Sequence, residues 1–188
     1  MKIGILGGTF NPIHIGHLIL AEEIREKLEL DKIVFVPTFM PPHKNNSEIA
    51  AASNRYKMIK AAISGNKHFL VSDIEIKRKG PSYTIDTVRE FKKVYPADEF
   101  YFITGSDLLK YLDEWKDLSE ILKQVKFVVA TRPGYPLDRI PTYISTISIR
   151  AVDVSAFEIR QASKDGKSFR YLVPEAVYNY IVKRRLYK

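Results

Sequence analysis

Cysteine is absent from this chain of 188 residues, and tryptophan occurs once. Without a thiol, disulfides, zinc–thiolate sites, iron–sulfur clusters and cysteine nucleophiles are all excluded. No apolar run approaches the roughly 18 unbroken residues that a membrane helix needs. The start, Met1-Lys2-Ile3-Gly4, lacks the charged and then long apolar stretch of a secretory signal, so a cytoplasmic location is expected. Acidic residues are relatively scarce: 30 Lys and Arg against 22 Asp and Glu leave a formal charge of +8. That balance favours phosphate-rich or polyanionic partners. Part of it sits in Lys183, Arg184, Arg185 and Lys188, at an end expected to fray. Disorder is excluded by a hydrophobic content of 45%.

What is present is an alternation of apolar, β-branched runs with helical patterns. Strands are expected at Lys2 to Leu6, Lys32 to Thr38, Phe69 to Ile76, Glu99 to Thr104, Lys126 to Thr131 and Ile147 to Val152. Helices are expected from about His14 to Leu30, near Asn54 to Ile63, along the stripe Thr84, Val88, Phe91 and Tyr95, and after Ser155 and Pro174. The alternation implies an α/β, Rossmann-like, doubly wound parallel sheet. With no repeat, low-complexity tract or composition break, residues 1–188 read as a single domain. Two long proline-bearing stretches, Pro37 to Ser53 and Arg132 to Thr146, read as binding loops or lids.

The first strand-to-helix turn, Gly7-Gly8-Thr9-Phe10-Asn11-Pro12-Ile13-His14-Ile15-Gly16-His17, carries the most chemistry. In an open α/β sheet this turn lies at the carboxyl edge, where ligands bind. Gly7 and Gly8 suit a sharp turn and a close approach to an anion. The helix behind them offers N–H groups and a positive dipole end to phosphate. His14 and His17, three apart, point the same way from the first turn, and Gly16 leaves one side of it open. No GxxxxGK[ST] is present, and Gly4-x-x-Gly7-Gly8 is a poor match to GxGxxG. The histidines fit donors to phosphate oxygens in a phosphoryl transfer; no third metal ligand stands near them.

GGTFNPIHIGHL resembles the signature of the nucleotidyltransferase superfamily, whose hallmark is HxGH, and in particular that of the bacterial nicotinate-mononucleotide adenylyltransferases. Asn11 stands at a position where that family has Asp or Asn. Further segments resemble the family's motifs in the same order. Val154-Ser155-Ala156-Phe157-Glu158-Ile159-Arg160, a capped helix start, is similar to ISSTxIR. The resemblance implies triphosphate contacts from Ser155 and Arg160, while Ala156 and Phe157 replace the usual Ser and Thr. Pro41-Pro42-His43-Lys44 is similar to PPHK, which implies that Lys44 meets the mononucleotide phosphate.

Pro81-Ser82-Tyr83-Thr84-Ile85-Asp86-Thr87 resembles PSYTxDT, with Ser82 as the expected N-cap. There the backbone around Tyr83 and Thr84 is implied to hold a nicotinate carboxylate, which accepts from N–H groups, whereas an amide nitrogen would meet them with its own hydrogens. Gly105-Ser106-Asp107 followed by Trp115 implies a residue near the adenosine ribose, Asp107, and an indole stacked on the pyridine. Arg132, in an RPG element, is implied to line the nucleotide site, with Gly7, Gly8, Thr9 and Phe10 around the phosphates.

The resemblance covers nearly the whole chain. It implies transfer of AMP from ATP to nicotinate mononucleotide, with His14, His17 and Arg160 as catalytic groups and Mg²⁺ arriving with ATP. Neither nucleic acid nor membrane is an expected partner, and nothing in the sequence selects an oligomeric state. Nicotinamide mononucleotide or phosphopantetheine as acceptor, a nucleic-acid-binding protein, and a catalytically silent nucleotide sensor are the alternatives.

Overall fold

Ile3, Ile5 and Leu6 are all buried, although neighbours along a strand face opposite sides. Such a strand must lie inside a sheet covered on both faces. The computed structural model, which describes residues 1–41, 48–96, 98–131, 140–150 and 152–188, places it there. In chain order the elements are β1 (Lys2–Gly8), α1 (Ile15–Lys27), β2 (Lys32–Pro37), α2 (Ala52–Ala62), β3 (Phe69–Val71), α3 (Ile74–Arg78), α4 (Thr84–Val94) and β4 (Glu99–Gly105). A 3-10 helix (Ser106–Glu114) follows, then α5 (Leu118–Gln124), β5 (Lys126–Thr131), β6 (Ser145–Ser148), α6 (Ala156–Lys164) and α7 (Glu175–Arg184).

Among the described residues six strands form one sheet in the order β3-β2-β1-β4-β5-β6, with every pairing parallel. From β1 the chain winds outward through β2 and β3, then returns to β4 on the other side of β1. The crevice beyond the ends of β1 and β4 is therefore the topological switch point, where this architecture binds ligands. Alternation along the strands divides the core. Leu6, Phe35 and Ile103 face α1, α2, α6 and α7 through Ile24, Ile59, Ile159 and Ile181. Ile5, Val34, Phe102 and Phe127 face α4 and α5 through Val88, Phe91 and Ile121.

Three expectations shift. The strand expected to reach Ile76 stops at Val71, and Ile74–Arg78 turn into α3. Ile74 and Ile76 imitate strand alternation, but acidic Glu75 in the first turn and basic Lys77 and Arg78 in the last suit a helix dipole. The last strand runs Ser145–Ser148 rather than Ile147 to Val152. Ile149 N–H still reaches Thr131 O (3.0 Å), but the next N–H, of Arg150, donates to Glu23 Oε2 (3.1 Å), drawing the chain off the ladder. The segment after α7 is docked rather than frayed. Leu186 N–H donates to Ile181 O at 3.1 Å, and Leu186 and Tyr187 pack on the α7 side of the core.

Candidate active site

At the end of β1 the left-handed residue is Phe10 (φ 47°), not a glycine. Gly7 and Gly8 still belong to β1, and their small size serves packing. A Cβ on Gly8 would lie 3.0 Å from the Phe10 ring, and one on Gly7 would lie 3.3 Å from Phe102. Phe10 itself is buried, edge-on to His17 and tilted against Phe35, so only its backbone faces a ligand. Thr9 is half-buried at the crest of the turn.

His14 caps α1, and His17 is its third residue. The two rings lie 3.7 Å apart, tilted by 32°. The N–H of His14 donates to His17 Nδ1 at 3.2 Å, so in a neutral His17 the ring N–H is on Nε2. Gly16 does not leave open space beside this pair, contrary to the expectation. A Cβ there would meet His14 Nδ1 at 3.1 Å, so glycine is what lets the His14 ring lie across α1. The helix start is also less open than expected, because Ile15 N–H donates to Leu172 O at 3.0 Å.

Arg160, on the first turns of α6, reaches this turn directly: its Nη1 donates to Asn11 O at 3.0 Å. Its guanidinium also lies 5.8 Å from the centroid of the exposed Phe157 ring. Ser155 caps α6 as expected, but its hydroxyl is occupied. It accepts from Glu158 N–H at 3.2 Å and donates to Glu158 Oε2 at 2.9 Å. A phosphate contact from Ser155 would require that carboxylate to yield.

Tyr83 and Trp115 pack on the opposite face of the sheet. Tyr83, not Ser82, is the N-cap of α4, and the first intrahelical donors, Asp86 and Thr87, reach Tyr83 O. Thr84 and Ile85 N–H groups head the helix before them. Ser82 Oγ instead accepts from Phe39 N–H at 2.9 Å, tying this turn to the segment after β2. The Trp115 indole is half-buried, edge-on to Phe102 and Phe127 with centroids 5.6 Å away in each case. Lys116 Nζ lies 4.9 Å from the Tyr83 ring centroid. Gly105 ends β4, and Asp107 is in the 3-10 helix with its side chain outside the described residues. His43, Lys44 and Arg132 also lie outside the described residues. The phosphate turn and the Tyr83–Trp115 group meet across β1 and β4, since Phe102 touches the Gly7 position and carries Trp115.

Residues 5–162 match the family model described as cytidylyltransferase-like. Over 198 aligned residues, covering all of this chain and 92% of the relative, the sequence is 44% identical to a protein named probable nicotinate-nucleotide adenylyltransferase from Rubrobacter xylanophilus. A protein of the same name from Thermus thermophilus is 43% identical over the full length of both. This chain belongs to the cytidylyltransferase-like family and, within it, to the nicotinate-nucleotide adenylyltransferases. The fold is that of the nicotinic acid mononucleotide adenylyltransferase of Plasmodium falciparum complexed with NaAD, at a TM-score of 0.82, 21% identity, and coverage of 99% of this chain and 97% of that one.

Motif reading misses the polar scaffold beneath this adenylyltransferase's site. Arg55 is 1% exposed and donates to four carbonyls: Ala50 (2.8 Å), Thr9 (2.7 Å), Thr38 (2.6 Å) and Phe39 (3.3 Å). Burial lowers its guanidinium pKa from the ordinary value, against the pull of Tyr187 and Glu75. The signal for it was its place on the stripe with Met58 and Ile59, the other buried residues of α2. Glu75 is a second case. Its carboxyl accepts from Thr87 Oγ1 at 2.6 Å, and burial raises its pKa against hydrogen bonds from Ser82 and Thr87 and the charge of Arg78.

Proposed function

We propose that this chain, as one nucleotidyltransferase domain spanning residues 1–188, transfers the adenylyl group of ATP to nicotinate mononucleotide. A phosphate oxygen of the mononucleotide attacks the α-phosphorus of ATP. The new P–O bond forms as the bond to the β-phosphate bridging oxygen breaks, giving nicotinic acid adenine dinucleotide and pyrophosphate. The nucleophile is already an anion, so no covalent enzyme intermediate and no general base are required.

One observation carries this reading: His14 and His17, with rings 3.7 Å apart, share the switch-point turn with Arg160, which is held on Asn11 O. Donors fixed before the substrate arrives stabilise charge developing on the phosphoryl oxygens without reorganising. His17 supplies Nε2–H, Arg160 supplies fixed positive charge, and the Gly8–Thr9 backbone lines the phosphates. Lys44, Arg132 and Ser155 add phosphate and nucleotide contacts, and Asp107 lies by the adenosine ribose. Trp115 stacks on the pyridine, while Tyr83 and Thr84 present backbone N–H groups to its carboxylate. Magnesium enters with ATP and lowers the charge of the triphosphate. Among the described residues no group of three or more His, Asp or Glu side chains could hold a metal ion. No helix among the described residues is long and apolar enough to cross a membrane.

The test is pyrophosphate release with MgATP and, separately, nicotinate mononucleotide, nicotinamide mononucleotide and phosphopantetheine. Turnover mainly with the nicotinate compound is expected; preference for the amide would overturn the carboxylate role of Tyr83 and Thr84. His17→Ala should lower kcat by roughly 10²-fold with folding retained, and unchanged turnover would remove His17 from the chemistry.

A further inference from the structure

Arg160 serves the reaction only if its guanidinium is aimed, and what aims it is a carbonyl in the turn, Asn11 O. Asn11 is 6% exposed, and its side chain is spoken for on every side. Nδ2 donates to Glu48 O at 3.0 Å, while Oδ1 accepts from Ala50 N–H at 3.0 Å and from the phenol of Tyr187 at 2.9 Å. The last of these bonds joins residues 176 positions apart.

A closed circuit results. From Asn11 O it passes to Arg160 and along α6 to Ser163, one turn further on. Ser163 Oγ donates to Leu186 O at 3.1 Å, and the next residue, Tyr187, closes back on Asn11 Oδ1. Beyond the left-handed C-cap of α7, Arg185 (φ 51°), the segment adopts an unfavourable backbone at Tyr187 (φ 64°) to achieve this. Side chains are held there only when their surroundings over-determine the conformation, and such positions concentrate at functional sites. Burial also raises the phenol's pKa above its ordinary value, against the pull of Arg160 and Arg55.

We propose that Tyr187 is a positioning residue for adenylyl transfer, its hydroxyl fixing Asn11 and thereby aiming Arg160 at the triphosphate of ATP. The inference rests on the adenylyltransferase reading given above. It places a residue beyond α7 in the architecture of the phosphate turn. The role differs from packing, which the ring alone would supply.

Tyr187→Phe removes only the hydroxyl. Steady-state pyrophosphate release should show kcat/KM for ATP falling about tenfold, the worth of one buried hydrogen bond. KM for nicotinate mononucleotide should change less than about twofold, because the acceptor turn is not in the circuit. Ser163→Ala opens the same circuit elsewhere and should give the same signature if Tyr187→Phe does not fold. Wild-type kinetics in Tyr187→Phe would overturn the inference, showing that the ring acts by packing. Equal losses for both substrates, in step with a lower melting temperature, would overturn it as well. A wild-type chain that releases no pyrophosphate with any of the three acceptors would overturn the functional reading itself, a result distinct from either.

Discussion

Replacing Arg55 tests the buried scaffold most directly. Its guanidinium reaches three separate segments: the turn after β1 through Thr9 O, the segment after β2 through Thr38 O and Phe39 O, and the approach to α2 through Ala50 O. Hydrogen bonds from a charged donor are worth about 1.5–3 kcal/mol each. Four of them summed naively approach the whole stability of a domain, about 5–15 kcal/mol. Arg55→Ala will not lose that sum, because water can enter the polar-lined space and re-satisfy some carbonyls.

Truncating one side of a buried charged network typically costs about 3–5 kcal/mol, and that is the expected loss. At about 2–4 °C per kcal/mol for a chain of this size, the melting temperature should fall by roughly 10 °C. Arg55→Met separates packing from hydrogen bonding, since it fills most of the volume and donates nothing. It should recover only about 1 kcal/mol of the loss, the share contributed by the stem. Urea unfolding read as a shift in midpoint at constant m gives the numbers. An Arg55→Met protein within about 1 kcal/mol of wild type would refute the reasoning, because the four carbonyls would then not need the guanidinium.

Three further outcomes follow from single positions. Gly16→Ala sets a gain of about 1 kcal/mol in helix propensity against the displacement of the buried His14 ring, and should leave the fold intact. It should nevertheless lower kcat about tenfold, because the new Cβ meets His14 Nδ1 at 3.1 Å and turns the ring; unchanged kcat would show that His14 orientation does not matter. Glu23, held at about 2 rather than 4.5 by its hydrogen bond to Arg150, contributes stability that is present above the ordinary carboxylate range. That stability is lost as pH falls toward about 2, so the melting difference between wild type and Glu23→Gln should shrink in acid. A constant difference would dismiss the ion pair as its source. Glu75 has the opposite sign: burial raises its pKa, so its contribution is present in acid and lost as pH rises through the raised value. Glu75→Gln should therefore match wild type in acid and melt higher near neutrality, and an equal loss at every pH would contradict this.

The strands of the interior were legible because burial on both faces writes itself as unbroken apolar runs, as in KIVFVP of β2. Their order was not, yet the alternation with helices was enough to place the turn after β1 at the carboxyl edge. Edge elements were misread for a physical reason. β6 has burial on neither face to enforce a pattern, and its end is set by a carboxylate on α1, Glu23, that claims the Arg150 N–H. Local caps were readable where the partner lies three residues on, as with Ser155 and Glu158. They failed at Ser82, whose hydroxyl serves Phe39 instead.

The same distinction explains the site. Spacing revealed the chemistry-bearing groups, since His14 and His17 share one helical turn and local geometry alone brings them together. It misjudged the glycines around them. Gly8 and Gly16 accommodate the rings of Phe10 and His14 rather than a ligand, and a sequence does not display which neighbour fills the space beside a missing Cβ. Nor does it display which distant polar group turns inward. Arg55 and Tyr187 are unremarkable in local context, one in a charged helix and one in a basic tail. Their meaning comes from meeting Thr9 and Asn11 across the fold. If so, substitutions at Arg55 or Tyr187 should disturb the phosphate turn more than changes at exposed lysines such as Lys57 or Lys183, although neither scaffold residue belongs to any of its motifs.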